Sequence, residues 1–226
     1  MPAKNRIKPY IENGYYHIYN RGVNKRLIFK DKKDCIVFQR FLKQYLSPKD
    51  DLKEFMRPGE RLDRLMKTNM HGELEILAFA LMPNHFHLLV RQKKPEAIIK
   101  FMRRLCTSYS MYINRKYQRV GHLFQDAYKG VLVLDDQYLL HLSRYIHLNP
   151  DALDSGMINF REFNSYPYYL GEQSAKWVNT KYILKYFRNE KVGNHNGSYE
   201  NFIEDYRKSS TKNFLIGLAL DDDDVV

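Results

Sequence analysis

Two short apolar runs, Leu74 to Met82 (LEILAFALM) and His85 to Arg91 (HFHLLVR), are separated only by Pro83-Asn84. Each has the length of a strand rather than of a helix. The Pro-Asn pair between them is turn chemistry, so the runs must lie antiparallel as a hairpin. This hairpin is part of a sheet to which the rest of the chain has to add. Before it, Tyr15 to Asn20 (YYHIYN) is aromatic and β-branched and runs into Asn20-Arg21-Gly22, which reads as a strand ending in a turn. Asp31 then caps a helix in which Phe38, Phe41, Leu42, Tyr45 and Leu46 hold one apolar face until Pro48. After the hairpin, Pro95 takes the expected first position of a long helix reaching about Tyr117, with Ile98, Met102, Leu105, Tyr109 and Tyr112 along one side. Gly130 to Leu134 (GVLVL) is a fourth strand. Asp135 or Asp136 caps a further helix, which should stop at Asn149 because proline disfavours helical geometry in the residue before it.

The order β-α-β-β-α-β, followed by a helix, is that of the ferredoxin-like α+β fold, with an antiparallel sheet and helices expected on one face. Residues 49 to 70 are charged and aperiodic around Pro58-Gly59 and form an excursion with room for a short helix. Beyond Pro150 the chain turns rich in Asn, Tyr, Pro and Gly (FNSYPYYLGEQ), then offers helical patterns near 179–188 and 198–208 and an acidic end, Asp221 to Asp224, expected to be solvated. These boundaries divide the chain into a domain over 1–154 and an extension over 155–226.

No stretch reaches the roughly 18 apolar residues of a membrane span, and no apolar segment follows the first residues as a signal peptide would require. The two cysteines, Cys35 and Cys106, lie far apart within apolar-periodic segments, which suits a reducing compartment, the cytoplasm. The charge is informative. Lys and Arg number 37 against 26 Asp and Glu, a net +11, and ten of the basic residues fall between Arg91 and Lys129 against only Glu96 and Asp126. A localised positive field suits a polyanion, and aromatic residues at 14% supply flat faces for unpaired bases.

Two constellations could carry chemistry. His85 and His87 flank Phe86 at the start of a strand, so both imidazoles project from one face, where they could hold a divalent ion; a half-buried structural histidine is the commoner role for such a residue. On the helix from Asp136, Tyr145 and Asn149 stand about 40° apart around the axis, one turn from each other and on the apolar side. They could equally be structural hydrogen-bonders. Tyr138 shares that face two turns earlier, but its i+4 residue is Leu142.

Three strings carry a resemblance: Leu81 to Val90 (LMPNHFHLLV), Gly121 to Lys129 (GHLFQDAYK) and Arg144 to Pro150 (RYIHLNP). In this order they resemble the IS200-like single-tyrosine transposases, and among these the branch associated with repetitive extragenic palindromes. The resemblance spans about Tyr15 to Asp154, and Ser165-Tyr166-Pro167 is similar to a segment that commonly follows the domain. It implies a nucleophile at Tyr145 and a metal held by His85, His87 and Asn149. At the last position insertion-sequence members usually carry the longer Gln. It further implies Mg²⁺ or Mn²⁺, a single-stranded DNA substrate bearing a hairpin, and cleavage through a covalent 5′-phosphotyrosine, with homodimer formation left open. Arg103, Arg104, Arg115, Lys116 and Arg119 are then the candidates for gripping phosphates, with Arg21 and Lys129 facing the site. Two competing readings remain. A replication initiator or relaxase also combines paired histidines with tyrosine, although Leu148 and Asn149 stand where initiators carry Lys. A non-catalytic module could instead stack single-stranded DNA or RNA on the sheet without cutting it.

Overall fold

The computed structural model describes residues 10–56, 58–153, 157–188 and 198–208. Four strands, β1 (Tyr15–Arg21), β2 (Leu74–Met82), β3 (His85–Gln92) and β4 (Lys129–Val133), form one antiparallel sheet in the order β2-β3-β1-β4. This is the ferredoxin-like arrangement, in which the N-terminal strand becomes central because each crossover helix carries the chain over its neighbour. The helices are α1 (Lys32–Leu46), α2 (Leu62–Thr68), α3 (Ala97–Lys116), α4 (Asp136–Leu148), α5 (Tyr166–Leu170), α6 (Lys181–Arg188) and α7 (Tyr199–Lys208).

α1 begins where the sequence places it. The Asp31 side chain accepts from the Asp34 amide while Asp34 accepts from the Asp31 amide, a reciprocal capping box. Asp34 is fully buried, and its carboxylate also receives the Lys30 amide, the hydroxyls of Tyr112 and Tyr117, and the Lys116 ammonium at 2.7 Å. That cluster pins the start of α1 to the end of α3. At α3 the sequence expectation needs correction. Pro95 lies outside the helix, because Glu96 takes a left-handed conformation (φ 60°) and the first helical residue is Ala97. The Gln92 side chain, rather than a cap within the turn, accepts from the Ile98 amide.

The expectation of helices on one face is also corrected, since both faces are covered. α1 and α3 pack Phe38, Leu105 and Tyr109 against Ile18, Phe86 and Leu88, while α4, α6 and α7 pack Leu142, Ile146, Ile183 and Phe202 against Ala80 and Leu89. β2 shows why. Its run is apolar at nearly every position instead of alternating, so both of its sides have to leave water. α4 departs in a smaller way. Asn149 precedes Pro150 yet keeps helical dihedrals (φ −53°, ψ −45°), because the chain passes directly into a 3-10 turn, Asn149–Ala152, whose first residues need no proline N–H.

Among the described residues after 157, several are built into the sheet's surroundings. The Ser165 hydroxyl accepts from the Phe79 amide beside the register shift in β2, and Val178 bridges Ile76 along the outer edge of that strand. The acidic stretch Asp221 to Asp224 lies outside the described residues.

Candidate active site

Alternation along β1 and β3 puts His17, Tyr19 and Arg21 on the same sheet face as His85 and His87, beneath α4. Register completes the grouping: Arg21 stands opposite His85, and Tyr19 opposite both His87 and Lys129. His85 and His87 meet edge to face with ring centroids 4.8 Å apart. The Tyr145 ring from α4 lies 5.6 Å from His87 and 6.4 Å from His17, nearly perpendicular to both. Asn149 follows one turn later, its side-chain Nδ2 buried without a hydrogen-bond partner.

The hydrogen bonds behind the two histidines set which nitrogens face the site. Asn84 donates its amide to the Lys25 carbonyl, so its Oδ1 is free to accept at 2.6 Å from His85 Nδ1, leaving Nε2 as the lone-pair nitrogen of that ring. His87 Nδ1 lies 2.9 Å from His17 Nε2, while His87 Nε2 is buried with no partner. In the tautomer that carries the His87 proton on Nδ1, donating to His17, the His87 lone pair also falls on Nε2. Burial, aided by the nearby His85 charge, pushes the His17 pKa down to about 3, and the same causes together with His17 and Arg21 hold His87 well below the usual histidine range. His17 and His87 are therefore neutral at physiological pH, and for His87 this is the form that ligates a metal.

α4 is held from behind. His147 on its far side hydrogen-bonds Tyr199 at Nδ1 and Ser165 at Nε2, both at 2.7 Å, and the Arg144 guanidinium lies between the rings of Phe202 and Tyr206 at 4.3 and 4.4 Å. The RYIHLNP string thus splits its labour: Arg144 and His147 anchor the helix, and Tyr145 is presented to His87 and His17, with Asn149 one turn beyond it. The GHLFQDAYK string has a supporting place, with Phe124 bridging Gly22 and the Gln125 amide donating to the Arg21 carbonyl. A Cβ on Gly22 would come within 2.2 Å of the Arg26 carbonyl oxygen, so only glycine lets the chain fold back directly after Arg21.

The basic candidates divide by sheet face. Arg21 and Lys129 belong to the histidine side, the Lys129 ammonium lying 5.5 Å from the Tyr19 ring centroid. Arg103, Arg104, Arg115 and Lys116 sit on α3, across the sheet, and Arg119 follows that helix. Of these Lys116 is committed to Asp31 and Asp34, Arg104 donates to the Thr68 carbonyl, Arg103 and Arg115 are exposed, and both terminal nitrogens of Arg119 are buried without partners. Tyr138 packs among the apolar residues between α4 and the sheet, and burial raises its pKa. The residue missed by sequence reading is His17, whose only signal was its place in the middle of a strand.

Residues 59–149 match the family model described as transposase, IS200-like. This segment, less than half of the chain, is similar to the IS200-like transposases. Among solved structures, the chain is similar to the REP-associated tyrosine transposase bound to a REP hairpin: 12% identity, 79% of this chain and 95% of that one covered, TM-score 0.48. It is also similar to a protein of Deinococcus radiodurans R1 described as a transposase, at 15% identity, with 62% and 94% covered and a TM-score of 0.32. No curated protein matches the chain significantly. The transposase segment contains His85, His87, Tyr145 and Asn149, and it starts too late to include β1 with His17 and Arg21.

Proposed function

We propose that this chain cleaves and rejoins single-stranded DNA, with Tyr145 as nucleophile, in a transposition-related reaction. The observation that carries the reading is the convergence of Tyr145 from α4 on His87 and His17, with His85 packed against His87 on the same sheet face.

The donor set fits a divalent ion. His87 Nε2 and Asn149 Nδ2 are buried and unsatisfied, and two imidazoles with a carboxamide oxygen would suit Mn²⁺ as well as Mg²⁺. His85, His87 and Asn149 would hold the ion, the amide presenting its oxygen. When bound, it would supply charge neutralisation at the non-bridging phosphate oxygens. The chain's own residues do the rest. Tyr145 Oη forms a bond to phosphorus as the bond to the 3′-oxygen breaks, the phenolic proton is balanced by the proton gained at the released 3′-hydroxyl, and one phosphodiester replaces another. The bond energy is thereby kept for rejoining. Arg21 and Lys129, on the same face, would steer the strand toward the tyrosine.

The test is covalent trapping. A labelled hairpin oligonucleotide incubated with the protein and Mn²⁺ should leave a denaturation-resistant adduct that maps to Tyr145, is absent in Tyr145→Phe, persists in Tyr138→Phe and is abolished by EDTA. An adduct on another tyrosine, or equal cutting of duplex DNA, refutes the assignment.

A further inference from the structure

On the sheet face opposite Tyr145, α1, α2 and α3 enclose a cleft of about 650 Å³ with four arginines on its walls: Arg61, Arg64, Arg103 and Arg104. Such a volume lies in the range of ordinary ligand sites. The composition is lopsided. The one carboxylate lining it, Glu60, is already held at 3.0 Å by Arg40, and Arg61 pairs with Asp63, so Arg64, Arg103 and Arg104 leave the cleft strongly positive. Among the described residues Arg64 and Arg103 make no ion pair, and both side chains are exposed. Arg104 spends one N–H on the Thr68 carbonyl at 2.9 Å, which ties α2 to α3 and fixes the guanidinium in the wall.

The remaining lining is suited to a nucleotide. Phe41 is partly buried and lies nearly parallel to Tyr45, with centroids 6.3 Å apart and planes 14° from each other. Behind it the Tyr45 hydroxyl is engaged by Ser108 at 2.8 Å, so this aromatic wall is braced. Thr107 adds a hydroxyl at the rim. Guanidinium groups beside an aromatic face are what a single strand needs when phosphates are neutralised and a base is stacked without readout of its edge.

We infer that the cleft between α1, α2 and α3 is a second binding site for single-stranded DNA, remote from Tyr145, in which Arg64 and Arg103 hold phosphates and Phe41 stacks a base. This rests on the DNA reading above and extends it: a strand engaged here reaches around the sheet to the tyrosine, so the cleft anchors DNA that the reaction does not touch. Arg103 and Arg104, which lie away from the tyrosine, thereby acquire a place.

The experiment is fluorescence anisotropy of the full chain with a labelled single-stranded oligonucleotide, in EDTA so that no cleavage occurs, across a salt series. The double variant Arg64→Ala/Arg103→Ala should bind about tenfold or more weakly at moderate salt, and its log–log salt slope should fall by about 1.4, the loss of two single-strand phosphate contacts. Phe41→Leu, which keeps the packing, should weaken binding with an unchanged slope. At saturating oligonucleotide, adduct formation by the arginine variant should equal that of wild type. Unchanged affinity and slope in the arginine variant overturns the site, as does a loss restricted to duplex probes or a loss of adduct that saturating DNA does not restore. Failure of wild type to form any adduct would instead remove the catalytic reading and leave this binding test standing.

Discussion

Replacing His17 with leucine separates positioning from packing. His17 is 1% exposed, and its Nε2 lies 2.9 Å from His87 Nδ1, as the acceptor when His87 carries its proton on Nδ1, while its own Nδ1 is buried without a partner. Leucine removes the acceptor and orphans the His87 N–H, a cost of about 1–3 kcal/mol. It also removes the orphaned Nδ1 and places an apolar side chain in a closed site, which offsets much of that loss. Net stability should therefore move by no more than about 1 kcal/mol, whereas a metal ligand deprived of its supporting partner loses roughly 10–100-fold in affinity. His17→Gln, which keeps an acceptor oxygen, should recover most of the affinity. Calorimetric titration with Mn²⁺ reads the affinity, urea unfolding of the same preparations reads the stability, and Mn²⁺ paramagnetic resonance checks the ligand environment. Wild-type affinity in His17→Leu would refute the reasoning, as would an affinity loss of the same size in the leucine and glutamine variants.

Three further outcomes are expected. His87→Ala and His85→Ala should each weaken Mn²⁺ binding at least tenfold while leaving oligonucleotide affinity in EDTA close to wild type, by calorimetry and anisotropy on the same samples. Asp34→Ala takes the buried acceptor away from the Lys30 amide and the Tyr112 hydroxyl and leaves Lys116 and Tyr117 with Asp31 alone, and should cost about 3 kcal/mol in urea unfolding, far more than Asp63→Ala at the exposed pair with Arg61. Burial pushes the Cys106 thiol up to about 12 and Cys35 higher still, so neither is thiolate at pH 8; both should resist a thiol reagent in the native protein and react readily in denaturant.

The strand and helix boundaries were legible because their signals are local. Asp31 and Asp135 sit immediately before apolar periodicity and do cap α1 and α4, and Pro83-Asn84 could only be a turn. That His85 and His87 share a face, and that Tyr145 and Asn149 stand one turn apart, was likewise within reach, since strand alternation and the helical turn set these pairings locally. His17 was not. Its partner depends on β1 pairing in register with a strand some seventy residues later, and a single histidine in an aromatic strand gives no hint of that register. The division of the basic residues between two faces was hidden for a related reason. A charge cluster in sequence shows which helix is basic, but the side of the sheet that helix covers follows from handed crossovers and two-sided burial.

The central position of β1 also dictates an order of assembly. β2 and β3 are joined by a tight turn and can pair as soon as both exist, but β1 must wait for β3 to reach one of its edges and for β4, more than a hundred residues downstream, to reach the other. Contacts of such separation slow folding, because a long loop must close before anything is gained. The matched stretch, residues 59–149, holds β2, β3 and β4 but lacks the strand that joins β3 to β4. Expressed alone, it would present bare edges on β3 and β4, an invitation to pair with other copies. The part of the chain that is recognisable by family thus lacks the strand that closes its own sheet, and Tyr15–Arg21 is the keystone that joins its two halves.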